Sequence, residues 1–562
     1  MDLSPLTLTV VSVCVATFIA FVRRLILPRP LAGIPYNKQA AFRIAGDVPE
    51  LRASHGVRAF MRDQFTRHKS PIVQVFLAPF SKPRVLIGDF CEAHDIAAGR
   101  YREFDKSRLT SDSFKGIVPR SFVSYKAEHP VFKHNKELLK DFMTPSFFRN
   151  VSGPETHRNT LLLIDLWQLK LQLGGGRPFD AARDIYKMTL DVFTSVTFDR
   201  LATDTLVRRQ LHQLRKDTAF LNDRSDAKGS PAQFAHLPLP ADLQACVYLT
   251  ESINIGFQSP VPRLAHWIYL QSSHSRLQTR LKNEYLRQKV QESFERLSAT
   301  QFHEPLLLSA VDTMLIRERV LAAKTNTVPD FFGTSIRDEL FTFIAGGHDN
   351  SASLLTWFVK FMAAHPTVQA QLRRDIRVAH HDRKQPSAEA IIDAHVPFLE
   401  AVIEETIRCS HIVPITAREA LVDTTVMGCA IPKGTHVYLV SNGPSFLTPA
   451  LEVDEALRSE TGRVEGARYG AWKSDDVGDF VPERWLKGDA FDPMAGPQMA
   501  FGGGPRGCFG RKMVYLELRI AVTLLILTFE FRELDEKLNT FGTWESTTEN
   551  PVDCHVWLKT IS

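Results

Sequence analysis

The chain has 562 residues, 44% of them apolar and 23% charged, with 68 Lys and Arg against 63 Asp and Glu. That is a globular composition. A net charge of +5 on this length, without zinc-finger spacing or an Arg-rich arm, argues against a nucleic-acid-binding class. The seven cysteines, Cys14, Cys91, Cys246, Cys409, Cys429, Cys508 and Cys554, are scattered and form no C-x-x-C pair. A disulfide framework is therefore not expected, and a reducing compartment is.

In chain order, Leu3 to Val22 carries no charge and is about as long as a helix needs to cross a bilayer. Arg23, Arg24 and Arg29 follow it, which by the positive-inside bias puts the bulk of the chain in the cytosol. The charges come after the apolar run, and no small-x-small site follows, so a cleaved signal peptide is the weaker reading. The expected layout is a membrane anchor over 1–24, a Pro-rich hinge over 25–35 and one large catalytic domain over 36–562.

From Tyr36 to Asp330 the pattern is mainly helical with a few short strands. PRVLIGDF (Pro83 to Phe90) predicts a strand and turn. Phe179 to Phe198 has apolar residues at helical spacing, and Asp223 to Gln233 is a polar loop. Pro260 to Ser272 carries aromatics and aliphatics that fit either a segment dipping into a membrane surface to guide greasy substrates or ordinary core. Ser275 to Leu297 reads as a charged amphipathic helix.

The strongest helix runs from Ile336 to Ala364 and is apolar on most sides, as a core helix should be. Its middle, AGGHDNS (Ala345 to Ser351), places two glycines and an acid where both are costly. Such a stretch needs a local reason, such as space for a ligand with a polar path beside it. His348 is expected to pack, not to act as ligand or base.

The most specific segment is FGGGPRGCFG, Phe501 to Gly510. A cysteine thiolate suits an iron that must cleave an O–O bond. Gly504 and Gly507 allow tight turns and a close backbone approach. Backbone N–H groups can temper the sulfur's charge. Arg506 offers a planar fork for a carboxylate, Phe501 an apolar wall, and the helix from Arg511 a positive N-terminus. No Lys-Ser/Thr pair closes the glycines, so a phosphate loop is excluded.

Phe501, Gly504, Arg506, Cys508 and Gly510 fill the signature of the cytochrome P450 family, and three further motifs follow the family's order. Glu405 and Arg408 in EETIR match its E-x-x-R pair. FVPERW (Phe480 to Trp485) matches its Phe-x-Pro-Glu-Arg region, and GGHDNS (Gly346 to Ser351) its oxygen-binding stretch. The chain after the anchor thus resembles a P450 of the membrane-anchored microsomal type, close to those of fungal secondary metabolism.

The resemblance implies a mainly α fold with small β-sheets, the P450 fold, behind an N-terminal transmembrane helix. It implies haem b as cofactor, Cys508 as axial iron ligand, and Arg506, Arg418 (in PITAREA) and Lys136 at the haem carboxylates, with Phe501, Gly504 and Gly510 shaping the cofactor loop. Phe132 and Lys136 stand where the family usually has Trp and Arg. Glu405, Arg408 and Arg484 would form a buried structural lock. Asp349 would relay protons, with Gly346 and Gly347 making room for oxygen. Asn350 stands where a Thr hydroxyl usually serves the oxygen chemistry.

The implied activity inserts one atom of O2 into a hydrophobic small molecule, a terpenoid, polyketide, alkaloid or peptide intermediate. Electrons would come from NADPH through a separate reductase, at the endoplasmic reticulum membrane, single-pass, with the catalytic domain cytosolic. Asn350 keeps open desaturation, ring formation or rearrangement without net oxygen insertion.

Overall fold

The structure, a computed structural model, describes residues 9, 12–15, 17–18, 26–78, 81–198, 204–217, 230–302, 309–473 and 475–561. Its chain divides into two compact units, each assembled from separate stretches of sequence.

The first unit comprises Met1–Ser107, Pro414–Gly478 and Pro497–Gly507. Its framework is a five-stranded sheet of β1 (Ile72–Val75), β2 (Arg84–Ile87), β3 (Phe104–Lys106), β4 (Ile415–Ala420) and β5 (His436–Val440), in the order β1-β2-β5-β4-β3. Only β2 and β5 run parallel. Successive strand residues point to opposite faces, and here both faces are apolar. Ile72, Val85, Ile87, Val437 and Leu439 join one core cluster. Val73, Val75, Leu86 and Val440 join a second with Phe60, Met61 and Phe65. The expected strand within Pro83 to Phe90 is β2.

The second unit comprises Arg108–Val413, Asp479–Gly496 and Cys508–Ser562, and is built mainly of helices. Those that position the site are α1 (Pro130–Leu139), α2 (Ala182–Phe198), α3 (Ala241–Phe257), α4 (Ser273–Ala299), α5 (Thr334–Ala364), α6 (Pro397–Ser410) and α7 (Arg511–Thr528). A hairpin of β6 (Thr543–Glu545) and β7 (Glu549–Pro551) lies near the C-terminus. The central helix α5 buries Leu340, Phe341, Ile344, Leu354, Leu355 and Phe358, and runs unbroken through AGGHDNS. Its Gly347 permits a close approach to α2, because a Cβ there would fall 1.9 Å from the Phe193 ring.

Two expectations change. Within Pro260 to Ser272 a helix forms over Pro262–Tyr269 that buries Pro262 and His266 but leaves Val261, Leu264, Trp267 and Ile268 exposed, so the large apolar side chains there are not core. Among the described residues no helix is long and apolar enough to cross a membrane. This corrects the expected transmembrane helix, and with it the microsomal, single-pass endoplasmic-reticulum placement. Most of the run from Leu3 to Val22 lies outside the described residues. The reading rested on absence of charge. Within the run, the Thr17 hydroxyl hydrogen-bonds to the Val13 carbonyl. Of the predicted loop Asp223 to Gln233, residues 223–229 lie outside the described residues, and 230–233 is irregular.

Candidate haem-thiolate site

The glycine-rich segment enters from the first unit and passes to the second at Cys508. Gly504 has φ +62°, and a Cβ on it would fall 2.5 Å from the Ala97 carbonyl oxygen, so both conformation and space demand glycine. Gly510 precedes the first residue of α7, and the backbone N–H groups of Gly510 and Arg511 hydrogen-bond to the Cys508 sulfur. The side chain is open to solvent on one side. Chain packed against the others pushes the thiol upward in pKa, while the two N–H groups, Lys136 and Arg511 pull it down. The donors at the start of an 18-residue helix favour the anion.

Lys136 projects from α1, with its Nζ 4.5 Å from the centre of the Phe509 ring and 5.3 Å from that of Phe122. The expected cation of α1 is thus present, placed against the residue that follows Cys508.

A second cation group forms in the first unit. Lys106 on β3 and Arg418 on β4 are register partners, and directly opposed residues of an antiparallel pair share a face. Burial pushes the Lys106 ammonium well below its ordinary pKa, and the nearby Arg506 and Arg418 push the same way. Arg418 is lowered to about 10, by burial first and Arg506 second. Arg506 Nε donates to Asp105 Oδ1 at 2.6 Å. Arg418 is 3% exposed, and its Nε and Nη2 have no hydrogen-bond partner.

Three cations against one carboxylate, with orphaned guanidinium N–H groups, form an arrangement that a buried site tolerates only if an anion completes it. A group with two carboxylates, as haem has, fits that donor set. Lys106 was not visible in the sequence, where a lone Lys in FDKS carries no signal. Only strand register puts it opposite Arg418.

Glu405, Arg408 and Arg484 meet around one carboxylate. Glu405 is fully buried. Its Oε2 accepts from Arg408 Nε at 2.7 Å and from Trp485 Nε1 at 2.9 Å. Its Oε1 accepts from Arg408 Nη2 at 2.7 Å, Arg484 Nε at 3.0 Å and the Val481 backbone N–H at 2.8 Å. Trp485, at the end of the FVPERW motif, joins this group beyond the residues expected from the sequence.

On α5 the expected oxygen-site residues part company. Gly346 is exposed, and a Cβ there would meet nothing within 4 Å. Gly347 serves helix packing instead of open space. His348 is buried; its Nδ1–H donates to the Ile344 carbonyl at 2.8 Å, and its Nε2 accepts from the Tyr186 hydroxyl at 3.0 Å. Both nitrogens are engaged and burial lowers its pKa, which agrees with a packed residue. Asn350 Nδ2 donates back to the Gly346 carbonyl at 2.5 Å. Asp349 Oδ2 accepts from the hydroxyls of Thr547 at 2.7 Å and Thr548 at 3.2 Å.

Three further groups escaped the sequence reading. Ser351 donates to Glu517 at 2.6 Å, and burial raises that carboxyl to about 8. Glu339, near the start of α5, accepts from the Phe122 N–H at 2.5 Å, Asn135 Nδ2 at 2.6 Å and the Ser121 hydroxyl at 2.9 Å. Thr547 and Thr548 lie almost 200 residues from their partner, and no local pattern marks them.

The cytochrome P450 family description matches residues 120–443 and 475–553. The chain is 32% identical to the cytochrome P450 monooxygenase TRI13 of Fusarium sporotrichioides, over 95% of this chain and 96% of that one. It is 30% identical to the cytochrome P450 monooxygenase GME11363 of Pestalotiopsis microspora, over 95% of each. It is 33% identical to the cytochrome P450 monooxygenase xilC of Penicillium rubens, over 94% of this chain and 91% of that one. A crystal structure of a cytochrome P450 superposes with a TM-score of 0.65 at 18% identity, covering 95% of this chain and all of the other, which shows the fold: mainly α with small β-sheets. The chain belongs to the cytochrome P450 family and is a haem-thiolate monooxygenase that uses haem b.

Proposed function

We propose that this monooxygenase acts on a hydrophobic small molecule of fungal secondary metabolism, a terpenoid, polyketide, alkaloid or peptide intermediate. O2 is the co-substrate, and electrons come from NADPH through a separate reductase. The observation that carries the thiolate reading is the pair of backbone N–H groups, Gly510 and Arg511, aimed at the Cys508 sulfur at the start of α7. The fungal sources of the relatives support the substrate class.

When bound, haem supplies the activation of O2 and the transfer of oxygen. The chain supplies the rest. Cys508 would hold the haem iron, and Lys136 with the two N–H groups favours its anionic form. Arg418, Arg506 and Lys106 would neutralise the cofactor's carboxylates, while Phe501 and Gly504 shape the loop beside Arg506. Glu405, Arg408 and Arg484 hold the 479–485 segment against α6. Asp349 holds and moves the proton that the oxygen chemistry consumes. Neutral His348 takes no part in that transfer, since both of its nitrogens are committed.

The test compares metabolites of the producing fungus with and without the gene, grown under 18O2. A precursor that accumulates in the deletion strain, one labelled oxygen lighter than the normal product, is the expected result. A precursor and product that differ by two hydrogens, or that are isomers with no label gained, would overturn the oxygen-insertion reading.

A further inference from the structure

The hairpin β6–β7 is fastened along α5. The Glu549 carbonyl accepts from the Ser353 hydroxyl at 3.0 Å and from Trp357 Nε1 at 3.3 Å. The Glu549 N–H donates to the Ile412 carbonyl at 2.9 Å. From α3, Asn254 Nδ2 reaches the Ser546 hydroxyl at 3.4 Å. These ties fix the turn that carries Thr547 and Thr548, and both hydroxyls end on one oxygen of Asp349. Thr548 is buried to 1% exposure, and its oxygen also accepts from Asn550 Nδ2 at 2.9 Å. A chain Asn550–Thr548–Asp349 therefore runs from the hairpin into the central helix.

The neighbour of Asp349 on its own helix cannot do the same. The Asn350 amide is turned to the Gly346 carbonyl. An amide N–H donates but does not readily accept and pass on a proton, whereas a hydroxyl does both. The acid thus meets its hydroxyl partners in space and not in sequence.

We propose that Thr547 and Thr548 are positioning residues for proton delivery, holding the Asp349 carboxylate in one orientation and supplying the hydroxyl link that Asn350 does not. A proton accepted from solvent by the half-buried Thr547 oxygen is matched by release of that hydroxyl's own hydrogen to Asp349 Oδ2, so the link ends unchanged, while Thr548, whose oxygen accepts from the Asn550 amide, orients the carboxylate. The proposal rests on the reading of Asp349 as the proton carrier.

The test uses the full haem-loaded chain with three variants: T547V/T548V, T547S/T548S and D349N. Hydrogen–deuterium exchange reads residues 543–551. Rates of NADPH oxidation and hydrogen peroxide release, with NADPH–P450 reductase and O2 and no organic substrate, are measured in H2O and D2O. Loss of the two bonds should speed exchange of the hairpin about thirtyfold, as expected for two bonds of ordinary net strength. T547V/T548V should also change the solvent isotope effect in the direction that D349N does, and T547S/T548S should restore both.

An unchanged isotope effect in T547V/T548V, with or without faster exchange, overturns the proposal. If D349N is altered in that case, the Asp349 reading survives; if D349N is also silent, that reading falls too. Should the double variant fail to take up haem, Thr547→Val alone, at the shorter of the two bonds, is read by the same criteria.

Discussion

Arg484 Nε lies 3.0 Å from Glu405 Oε1, across 79 residues of chain, and each of the two side chains is almost fully withdrawn from water. Glu405 balances two guanidiniums, those of Arg408 and Arg484. Glu405→Gln would leave both cations buried without a counter-charge, at a cost of about 3–5 kcal/mol. Chemical denaturation, with the haem-to-protein ratio measured alongside, should show the loss in both quantities.

Arg418→Met removes a buried cation whose Nε and Nη2 have no partner in the protein. The apoprotein should therefore melt at a higher temperature than wild type, because an uncompensated buried charge is gone. The haem-loaded form should melt at a lower temperature, because a carboxylate contact is lost along with the stabilisation that binding confers. Calorimetry of both forms tests the opposite signs.

Cys508→Ser should abolish the thiolate signature of the ferrous–CO spectrum, since a serine oxygen at this position has neither the charge nor the softness of sulfur. An unchanged spectrum would remove Cys508 from the ligand position.

Glu339 is held from its ordinary 4.5 up to about 8 by burial. The unfolded chain releases this proton near 4.5 and the folded chain keeps it to about 8, so unfolding releases a proton between those values. Stability contributed by this group therefore falls as pH rises through that window. Glu339→Gln should flatten the slope of melting temperature against pH from 5 to 8, which thermal denaturation at fixed ionic strength would measure.

Gly347→Ala would drive a methyl into the Phe193 ring, and overpacking of this kind costs about 1–3 kcal/mol. Gly346→Ala meets nothing and should stabilise the helix by up to about 1 kcal/mol through propensity. Thermal unfolding of the two variants should move in opposite directions.

Several parts of this molecule are local enough to be legible. The helix of Thr334–Ala364 follows from its apolar pattern, and β2 from its short apolar run. Glu405 and Arg408 are three residues apart on one helical turn, a spacing that brings side chains together. The glycines of the cysteine loop announce themselves because Gly504 occupies a backbone region that other residues avoid. Reading Leu3 to Val22 as a membrane span is not upheld, since no helix among the described residues is long and apolar enough to cross a membrane.

By itself the sequence determined the family, the haem ligand expected of it, and the order of the motifs, because each depends on residue type and short spacing. Only the tertiary structure decided which groups share an environment. Strand register set Lys106 opposite Arg418, helix packing claimed Gly347 for Phe193, and the C-terminal hairpin brought Thr547 and Thr548 to Asp349. The physical reason is range: a hydrogen bond is selected by distances of about 3 Å in space, and no separation along the chain encodes them.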